Sequence, residues 1–208
     1  ITLSFKIKDI PLGEKHSVVA PLPKKGSILT NMDEMRPIAV GPVVGRVINK
    51  IMATRLGTLL ATKGLLKGQG LLDPAQFAFL MGKGIHEPIN AVSQAFRQSL
   101  AAANNTWGRA CYAIFYDISK AYDTVKWSSI TTSMRDIGLP ENFINFVHNS
   151  LIGTAVCMKT SINGRTTEYV DMNRAVRQGD PLAPLLFNIV MDALHRGYKH
   201  IGGYQLHN

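Results

Sequence analysis

The sequence has few cysteines and no long apolar run. Only Cys111 and Cys157 occur among its 208 residues, both inside apolar, strand-like segments. This count excludes a disulfide-dense secreted scaffold and favours an intracellular, reducing compartment, while a pairing between the two residues stays open. A transmembrane helix needs about 20 consecutive apolar residues, and no such run is present, so we expect no membrane partner. No histidine has ligand spacing with a cysteine, which argues against a zinc site.

Acidic residues are also scarce. Asp and Glu total 14 against 23 Lys and Arg, which gives a formal net charge of +9. This balance favours a polyanionic partner such as nucleic acid, but organelle and ribosomal proteins are often basic too, so charge alone does not decide. Hydrophobic residues make up 46% of the chain, a share typical of a folded globular protein. The chain begins at Ile1, without a Met or a signal pattern, and we expect a piece of a longer product.

The N-terminal third has the pattern of a basic hairpin followed by a helix. Residues 16–26 predict a short strand that enters a basic turn, and residues 35–40 predict the returning strand. After Pro42, apolar residues recur at helical spacing as far as Leu60, and Gly64 is suited to end that helix.

The middle of the chain contains a glycine-rich stretch, a helical pattern and an apolar run. Glycines predict a loop over residues 65–84, and helical spacing predicts a helix over residues 88–100. The apolar run at 110–116 lacks strict alternation, which predicts a strand that is covered on both faces. Asp117 follows directly at the end of this strand.

The C-terminal part alternates helical and strand-like patterns. Glycine or proline separates the helices, and an Asn-Gly pair between two strand-like runs favours a two-residue hairpin turn. Asp180 can cap the last helix, whose first turn tolerates Pro181 and Pro184. The predicted elements are helices over 126–137 and 141–151, strands over 155–162 and 165–170, and a helix from Asp180 to about Arg196.

The order of these elements predicts an α+β protein with two subdomains. A strand, two helices, a hairpin and a further helix match one half of a split β-α-β unit. The basic N-terminal third would form a separate lobe. We therefore predict one subdomain over residues 1–105 and a second over residues 106–208.

Asp117 is the first candidate for chemistry. A carboxylate at a strand end is a suitable ligand for divalent metals, which align the phosphate oxygens when a nucleoside triphosphate reacts. The alternative is that Asp117 caps the following helix. For Asp123 we predict a cap on the helix near Lys126. Tyr122 has two interpretations: a ring at the floor of a nucleotide pocket, where a 2′-hydroxyl would collide with it, or a core tyrosine.

Four motifs, taken together and in order, resemble reverse transcriptases. FYDISKAYDTV at 115–125 resembles the first palm motif of that family. RAVRQGDPLAPLLFNIVMDAL at 174–194 resembles the second palm motif as found in non-LTR, LINE-like retrotransposons. The resemblance covers nearly the whole chain, from about Val18 to Gly197. The segments similar to the family's fingers are KKG at 24–26, RPIAV at 36–40 and AQFAFLMGKGIHEPI at 75–89.

This resemblance implies a right-hand polymerase, with fingers at 1–105 and an incomplete palm at 106–208. Asp117 matches the first catalytic, metal-binding aspartate, and the backbone carbonyl of Ile118 would lie beside the same Mg²⁺. Tyr122 matches the aromatic gate that excludes ribonucleotides, where these elements usually have Phe. The other implied nucleotide-binding residues are Gln178 and Gly179, along the sugar and base, and Arg36 with Lys24 or Lys25, on the triphosphate.

The sequence departs from the family pattern at three places. Ala175 replaces a common Gly, which reads as a mild change on a strand. Ala78, Leu80 and Met81 replace a Gly and basic residues of the template-contacting pattern. No two aspartates are adjacent anywhere in the chain, so the third palm motif is absent. The resemblance implies two Mg²⁺ ions in the complete enzyme, and we predict that this fragment alone does not polymerise.

Three functional hypotheses follow. The leading one is the RNA-directed DNA polymerase domain of a LINE-like retroelement, which uses an RNA template, a DNA primer and deoxynucleoside triphosphates in the nucleus or cytoplasm. The alternative is a decayed or repurposed domain that serves as a non-catalytic, RNA-binding or structural component of a ribonucleoprotein, with an organelle as a further location. A group II intron or retron polymerase is the third, but the second palm motif is closer to the non-LTR form.

Overall fold

A computed structural model describes residues 6, 8–24, 35–61, 71–103, 111–159 and 165–202. These residues form helices and one small mixed sheet, an α+β arrangement. None of the described helices combines the length and hydropathy that a membrane span requires.

The sheet has four described strands in the order β2-β1-β3-β4. The pairs β1–β2 and β3–β4 are antiparallel, whereas β1 and β3 are parallel, with Ser17 opposite Val156. The sheet therefore joins the N-terminal hairpin directly to the C-terminal strands. The strands are β1 Ser17–Pro23, β2 Met35–Val40, β3 Ala155–Met158 and β4 Val170–Asp171.

The structure confirms the N-terminal hairpin predicted from the sequence. Val18 lies opposite Val40, and Pro23 lies opposite Met35. The second predicted hairpin is confirmed as the short pair β3–β4, extended by a bridge between Lys159 and Thr166. The hairpin tip at 25–34, which includes Lys25, and the Asn-Gly turn at 163–164 lie outside the described residues.

Five of the described helices match sequence predictions, and the four-residue α3 was not predicted. The loop prediction also holds over 71–84, where the chain forms turns without a helix or strand. The helices are α1 Val43–Ala61, α2 His86–Ala103, α3 Ala121–Thr124, α4 Trp127–Asp136, α5 Glu141–Leu151 and α6 Ala183–Tyr198.

Glycine and proline place the helix ends as expected, with one difference. Gly138 adopts a φ of +80° just after α4, a conformation that glycine tolerates without a steric penalty. Pro140 immediately precedes α5. Helix α6, however, continues through Gly197 to Tyr198 instead of ending near Arg196. A glycine inside a helix costs only about 1 kcal/mol relative to alanine, so the surrounding helix formers outweigh it.

The core forms where α4 packs against both α5 and α6 and where α1 packs against α6. Full burial of each large apolar side chain contributes about 1.5–3 kcal/mol. This core fixes α6, which contains the second half of the palm-like motif at 174–194. The most deeply buried large side chains are Ile48, Ile130, Met134, Ile144, Phe146, Val147 and Ile189.

The prediction of a strand over 110–116 is wrong for residues 111–116, the part of this range that the structure describes. Residues 111–118 form no regular element, and Tyr112, Phe115 and Tyr116 are 86%, 81% and 82% exposed. A strand with two covered faces needs neighbouring strands for its hydrogen bonds and packing partners on both sides. None of the strands that the structure describes pairs with this segment.

The capping role predicted for Asp123 is also wrong. Asp123 lies inside α3, and Lys126 is the residue that precedes α4 in an extended conformation, without a side-chain cap. Asp123 lies three positions before that residue, because Lys120 in a left-handed conformation starts the short extra helix α3. The boundary at residue 105 between two subdomains stays a prediction, although the sheet draws β1 and β2 from one side of it and β3 and β4 from the other.

Candidate nucleotide-binding site

The Gln178–Gly179 turn lies directly against β2. The backbone carbonyl of Gln178 accepts a hydrogen bond of 2.7 Å from the amide of Ala39. Gly179 has a φ of +101°, and a Cβ atom at this position would lie 2.8 Å from the carbonyl oxygen of Ala39. Only glycine fits both the left-handed backbone and this close approach. The turn is therefore seated on the strand that also carries Arg36.

Arg177, just before the turn, is held on three oxygen atoms. Its Nη1 donates to the carbonyl of Lys15 at 2.7 Å and to Ser17 Oγ at 2.9 Å. Its Nη2 lies 3.0 Å from Asp180 Oδ2, and the two side chains of this ion pair are only 11% and 14% exposed. The guanidinium uses both of its terminal nitrogens, as its planar fork allows.

Asp180, just after the turn, accepts three polar contacts. Its Oδ1 accepts a bond of 2.9 Å from the amide of Leu182, and its Oδ2 accepts 2.8 Å from Asn49 Nδ2 in α1 as well as the contact from Arg177. Helix α6 itself begins with Leu182 at the N-cap and no side-chain cap. Asp180 thus stabilises the turn that leads into α6 and not the first helical turn.

Tyr122 packs beside the residues that precede the Gln178–Gly179 turn. Its ring stacks on Phe187 of α6, with centroids 5.1 Å apart and an interplanar angle of 21°. Its carbonyl accepts 3.0 Å from the amide of Val176. The side chain is half-buried, and this burial raises the pKa of the Tyr122 hydroxyl. The structure shows a packed, half-buried ring, and the role of Tyr122 at the floor of a nucleotide pocket stays a prediction.

Ala175 is not the mild strand substitution that the sequence suggested. Its φ is +80°, a left-handed conformation in which a Cβ atom is strained. Its amide donates 2.7 Å to the carbonyl of Val125, and its carbonyl accepts 2.9 Å from Trp127 Nε1. These bonds hold the backbone of Ala175 in place, which explains why a glycine is favourable at this position.

Asp117 and Ile118 lie in the exposed segment 111–118. Asp117 is not at the cap of the following helix, since Lys120 occupies that position in α3. Ile118 borders an open depression of about 370 Å³, whose other wall is Phe187 and Val190 of α6. The structure thus places Ile118 and Tyr122 on the same side of α6, while the carboxylate of Asp117 faces solvent.

The two described cations of the hairpin are exposed. Lys24 follows β1, and Arg36 lies in β2 opposite Leu22. Arg36 is three residues from Ala39, or roughly 10 Å along an extended strand. Strand β2 therefore carries both the contact with the Gln178–Gly179 turn, at Ala39, and the exposed side chain of Arg36.

The described residues do not fit a pair of metal ions on their own. Among them, no three His, Cys, Asp or Glu side chains are grouped closely enough to hold a metal. Two-metal sites hold ions roughly 3.5–4 Å apart between shared carboxylates, and Asp117 offers one carboxylate. The described part of the chain therefore lacks a complete two-metal site.

Sequence reasoning missed the residues that support the turn. Asn49 is buried on the apolar stripe of α1, so a polar residue at a core position was the available signal. Lys15 and Ser17 gave no signal, because their importance comes from contacts with residues more than 150 positions away.

A second polar cluster joins the loop 71–84 to the other end of α6. Asp192, almost fully buried, accepts bonds from the amide of Asp73 and from Arg196 Nε. Lys199 Nζ lies 2.8 Å from Asp73 Oδ2. Burial alone would raise the pKa of Asp73, but bonds from Lys199 and the Ala75 amide, with nearby positive charge, lower it below its ordinary value. The loop that resembles a fingers segment is thus tied to α6.

Comparison with known proteins decides the family. The model of the family described as reverse transcriptase (RNA-dependent DNA polymerase) matches residues 22–206. The chain belongs to the reverse transcriptase family. Its mixed α/β structure with a small mixed sheet is the form that this family's domain takes here.

The curated relatives of this reverse transcriptase domain come from retrotransposable elements. The chain is 36% identical over 166 residues to the retrovirus-related Pol polyprotein from type-2 retrotransposable element R2DM of Drosophila melanogaster, covering 78% of the chain and 14% of that protein. It is 33% identical over 172 residues to the Pol polyprotein from element R2 of Nasonia vitripennis, covering 81% of the chain and 15% of that protein. The chain thus spans about a seventh of the length of these relatives. The resemblance to non-LTR elements is confirmed.

Proposed function

We propose that the chain forms the fingers, over 1–105, and part of the palm, over 106–208, of a right-hand RNA-directed DNA polymerase from a non-LTR retroelement. Its substrates are an RNA template, a primer and deoxynucleoside triphosphates, and its metal is Mg²⁺. The observation that supports this proposal best is the seat of the Gln178–Gly179 turn on β2, the strand that carries Arg36.

The hairpin supplies the cations for the triphosphate. Arg36 is exposed in β2 and Lys24 is exposed just after β1, and Lys25 belongs to the hairpin tip, outside the described residues. A planar guanidinium can pair with phosphate oxygens in two places, whereas an ammonium acts as a point charge. Arg36 therefore orients the phosphates, and the lysines contribute mainly attraction.

Tyr122 and the Gln178–Gly179 turn bound the sugar. The Tyr122 ring is restrained by its stack on Phe187, so it resists displacement by an additional hydroxyl on the substrate. Gly179 lets the backbone approach closely, and Gln178 presents a side chain with both donors and acceptors. These residues select a deoxyribonucleotide by shape.

Asp117, with the carbonyl of Ile118, is the part of the site that we assign to Mg²⁺. When bound, Mg²⁺ neutralises and aligns phosphate oxygens. One carboxylate is fewer than a two-metal site needs. We therefore expect the 208-residue chain alone not to extend a primer.

Primer extension on an RNA template tests this function in the longest natural polypeptide that contains the chain. Asp117→Ala should lower the rate by about 10³-fold, the loss of several kcal/mol of charge stabilisation. Asp136→Ala, an exposed acid at the end of α4, is the matched control and should leave the rate unchanged. Full activity of Asp117→Ala would contradict the assignment.

The same assay tests the sugar gate. Tyr122→Ala should admit ribonucleotides, whereas Tyr122→Phe keeps the ring and should keep the discrimination. Equal discrimination in Tyr122→Ala and the parent would refute the gate.

Non-catalytic RNA binding is the second candidate, favoured by the net charge of +9 and by the solvent-facing Asp117. It predicts salt-sensitive RNA binding with no primer extension by the longer polypeptide. RNA-dependent extension that needs Asp117 would exclude it.

A further inference from the structure

We propose that Arg177 and Asp180 are positioning residues, which hold the Gln178–Gly179 turn at a fixed place on β2 and thereby set its distance from Arg36. This inference rests on the proposed nucleotide-binding function of that turn. Neither residue is assigned contact with the nucleotide.

The ion pair brackets the turn. Arg177 and Asp180 stand immediately before and after the two residues of the turn, and their side chains meet at 3.0 Å. With both ends closed in this way, the turn between them has little freedom. The left-handed backbone of Gly179 and the bond from the Ala39 amide to the Gln178 carbonyl restrict the conformation of the turn further.

Each side of the pair is attached to a different part of the fold. Arg177 reaches the turn before β1 and β1 itself, through Lys15 and Ser17. Asp180 reaches α1 through Asn49. The turn is therefore fixed relative to both the sheet and the helix that follows β2.

The anchor at Lys15 is itself rigid. Its side chain is 7% exposed, and Nζ donates 2.7 Å to the carbonyl of Asn149 and 3.0 Å to that of Ile152, at the C-terminal end of α5. Asp9 Oδ1 lies 2.8 Å from the same nitrogen. The carbonyl of Lys15 that receives Arg177 is thus connected to the helical core and does not move freely.

A buried ion pair is a weak source of stability compared with apolar residues of equal size, but it fixes geometry. The geometry fixed here has a chemical consequence. The bond to Ala39 lies on the outer edge of the edge strand β2, and Arg36 is roughly 10 Å away along that strand. A shift of the turn by 1 Å changes the span between the sugar-binding and phosphate-binding residues, and misplacement of this size can cost about 10²-fold in rate.

Two measurements test the positioning role. The first is amide hydrogen exchange of Ala39 in the 208-residue chain, because this amide donates to the turn. Arg177→Gln should accelerate its exchange by about tenfold, and Arg177→Lys less, because lysine keeps the charge but lacks the fork. Arg135→Lys is the matched control, since it changes an exposed Arg–Glu141 pair, and it should leave the Ala39 amide unchanged.

The second measurement is steady-state primer extension by the longer polypeptide with the deoxynucleotide concentration varied. Arg177→Gln and Asp180→Asn should raise KM for the nucleotide by about tenfold, with much smaller changes in kcat and in KM for the template and primer. A merely structural role would lower the active fraction, and hence kcat, but leave the nucleotide KM unchanged. If Arg177→Gln does not fold, Ser17→Ala removes one acceptor from the guanidinium and should give smaller shifts of the same sign.

The outcomes separate the two proposals. Absence of primer extension by the parent polypeptide overturns the proposed function. Unchanged Ala39 exchange in Arg177→Gln, Arg177→Lys and Ser17→Ala overturns the positioning role. Accelerated exchange together with an unchanged nucleotide KM in an active enzyme overturns the link between position and substrate binding.

Discussion

The two sides of the proposed nucleotide site differ in how firmly the described chain holds them. On one side, the Gln178–Gly179 turn lies between the largely buried side chains of Arg177 and Asp180, which are bonded to each other, to the sheet and to α1. On the other, Asp117 lies in a segment without regular structure whose neighbouring aromatic side chains are exposed. The first palm-like motif contains Asp117, the residue whose chemical role is clearest. The described structure nevertheless holds this motif less firmly than the turn between Arg177 and Asp180. A motif can therefore contain a chemically important residue without neighbouring helices or strands that hold that residue in place.

The difference has a physical origin. The turn at 177–180 has polar partners whose positions are fixed by helices and strands, so its conformation costs little additional entropy. The segment 111–118 has large apolar side chains but few packing partners among the described residues. Stability should therefore respond strongly to changes on one side and weakly to changes on the other.

The largest expected contrast is between two aspartates. Asp180→Ala leaves the guanidinium of Arg177 buried without its partner, which should lower the free energy of unfolding by about 3–5 kcal/mol. Asp117→Ala changes an exposed side chain and should stay within about 0.5 kcal/mol of the parent. Urea denaturation of the 208-residue chain measures both. Equal effects of the two substitutions would mean that the chain holds both aspartates equally firmly.

Gly179→Ala should have the next largest effect. The new Cβ would lie 2.8 Å from the carbonyl oxygen of Ala39, and the backbone φ of +101° is unfavourable for alanine. Strain of this kind costs about 1–3 kcal/mol. The control is Gly197→Ala in α6, where a Cβ meets open space and should stabilise the helix by about 0.5–1 kcal/mol. If both substitutions stabilise the chain, the turn is not seated on β2 as described.

Much of the fold could be predicted because its signals are local. The N-terminal hairpin, the five predicted helices and the stop at Gly138 follow from residues close in sequence. The parallel pairing of β1 with β3 could not be predicted, because no local pattern specifies a partner about 140 residues away. The strand expected over 110–116 is not formed in the described residues, for a related reason. Its composition suits a strand with two covered faces, but composition does not determine which elements pack against it.

The residues of the candidate site likewise fall into two groups, those with a local sequence signal and those whose role depends on long-range contacts. Asp117, Tyr122, Gln178 and Gly179 were identifiable from motifs, and their proposed roles stay predictions. The supporting bonds of Arg177 were not identifiable, since they depend on how the sheet brings Lys15 and Ser17 to the turn. Ala175 shows the same limit, because its left-handed φ became evident only once its backbone bonds were located.

Ala175→Gly should have a smaller effect, at the place where the two sides of the site meet. Ala175 is bonded to Val125, the last residue of the first palm-like motif, and to Trp127, and it stands two residues before Arg177. Glycine removes a left-handed penalty of about 1–2 kcal/mol, and the greater freedom of glycine in the unfolded chain offsets about 0.5–1 kcal/mol of that gain. Urea denaturation should show a net stabilisation of roughly 0.5–1 kcal/mol. A lower free energy of unfolding for Ala175→Gly would mean that position 175 accommodates alanine without strain.

Asp73 extends the comparison to a carboxylate held at the far end of α6, and it gives the smallest expected effect. Its folded pKa lies below the ordinary value of 3.8, since Lys199 and the Ala75 amide outweigh the effect of burial. A lowered folded pKa means that ionised Asp73 contributes stability above about pH 4, and that this contribution is lost as the pH falls through the folded pKa. Asp73→Asn should therefore flatten the acid limb of the curve of unfolding free energy against pH. Urea denaturation of the parent and of the variant between pH 2 and pH 6 measures the two curves. If the two acid limbs are equally steep, Lys199 and the Ala75 amide do not stabilise ionised Asp73, and this carboxylate is not anchored as described.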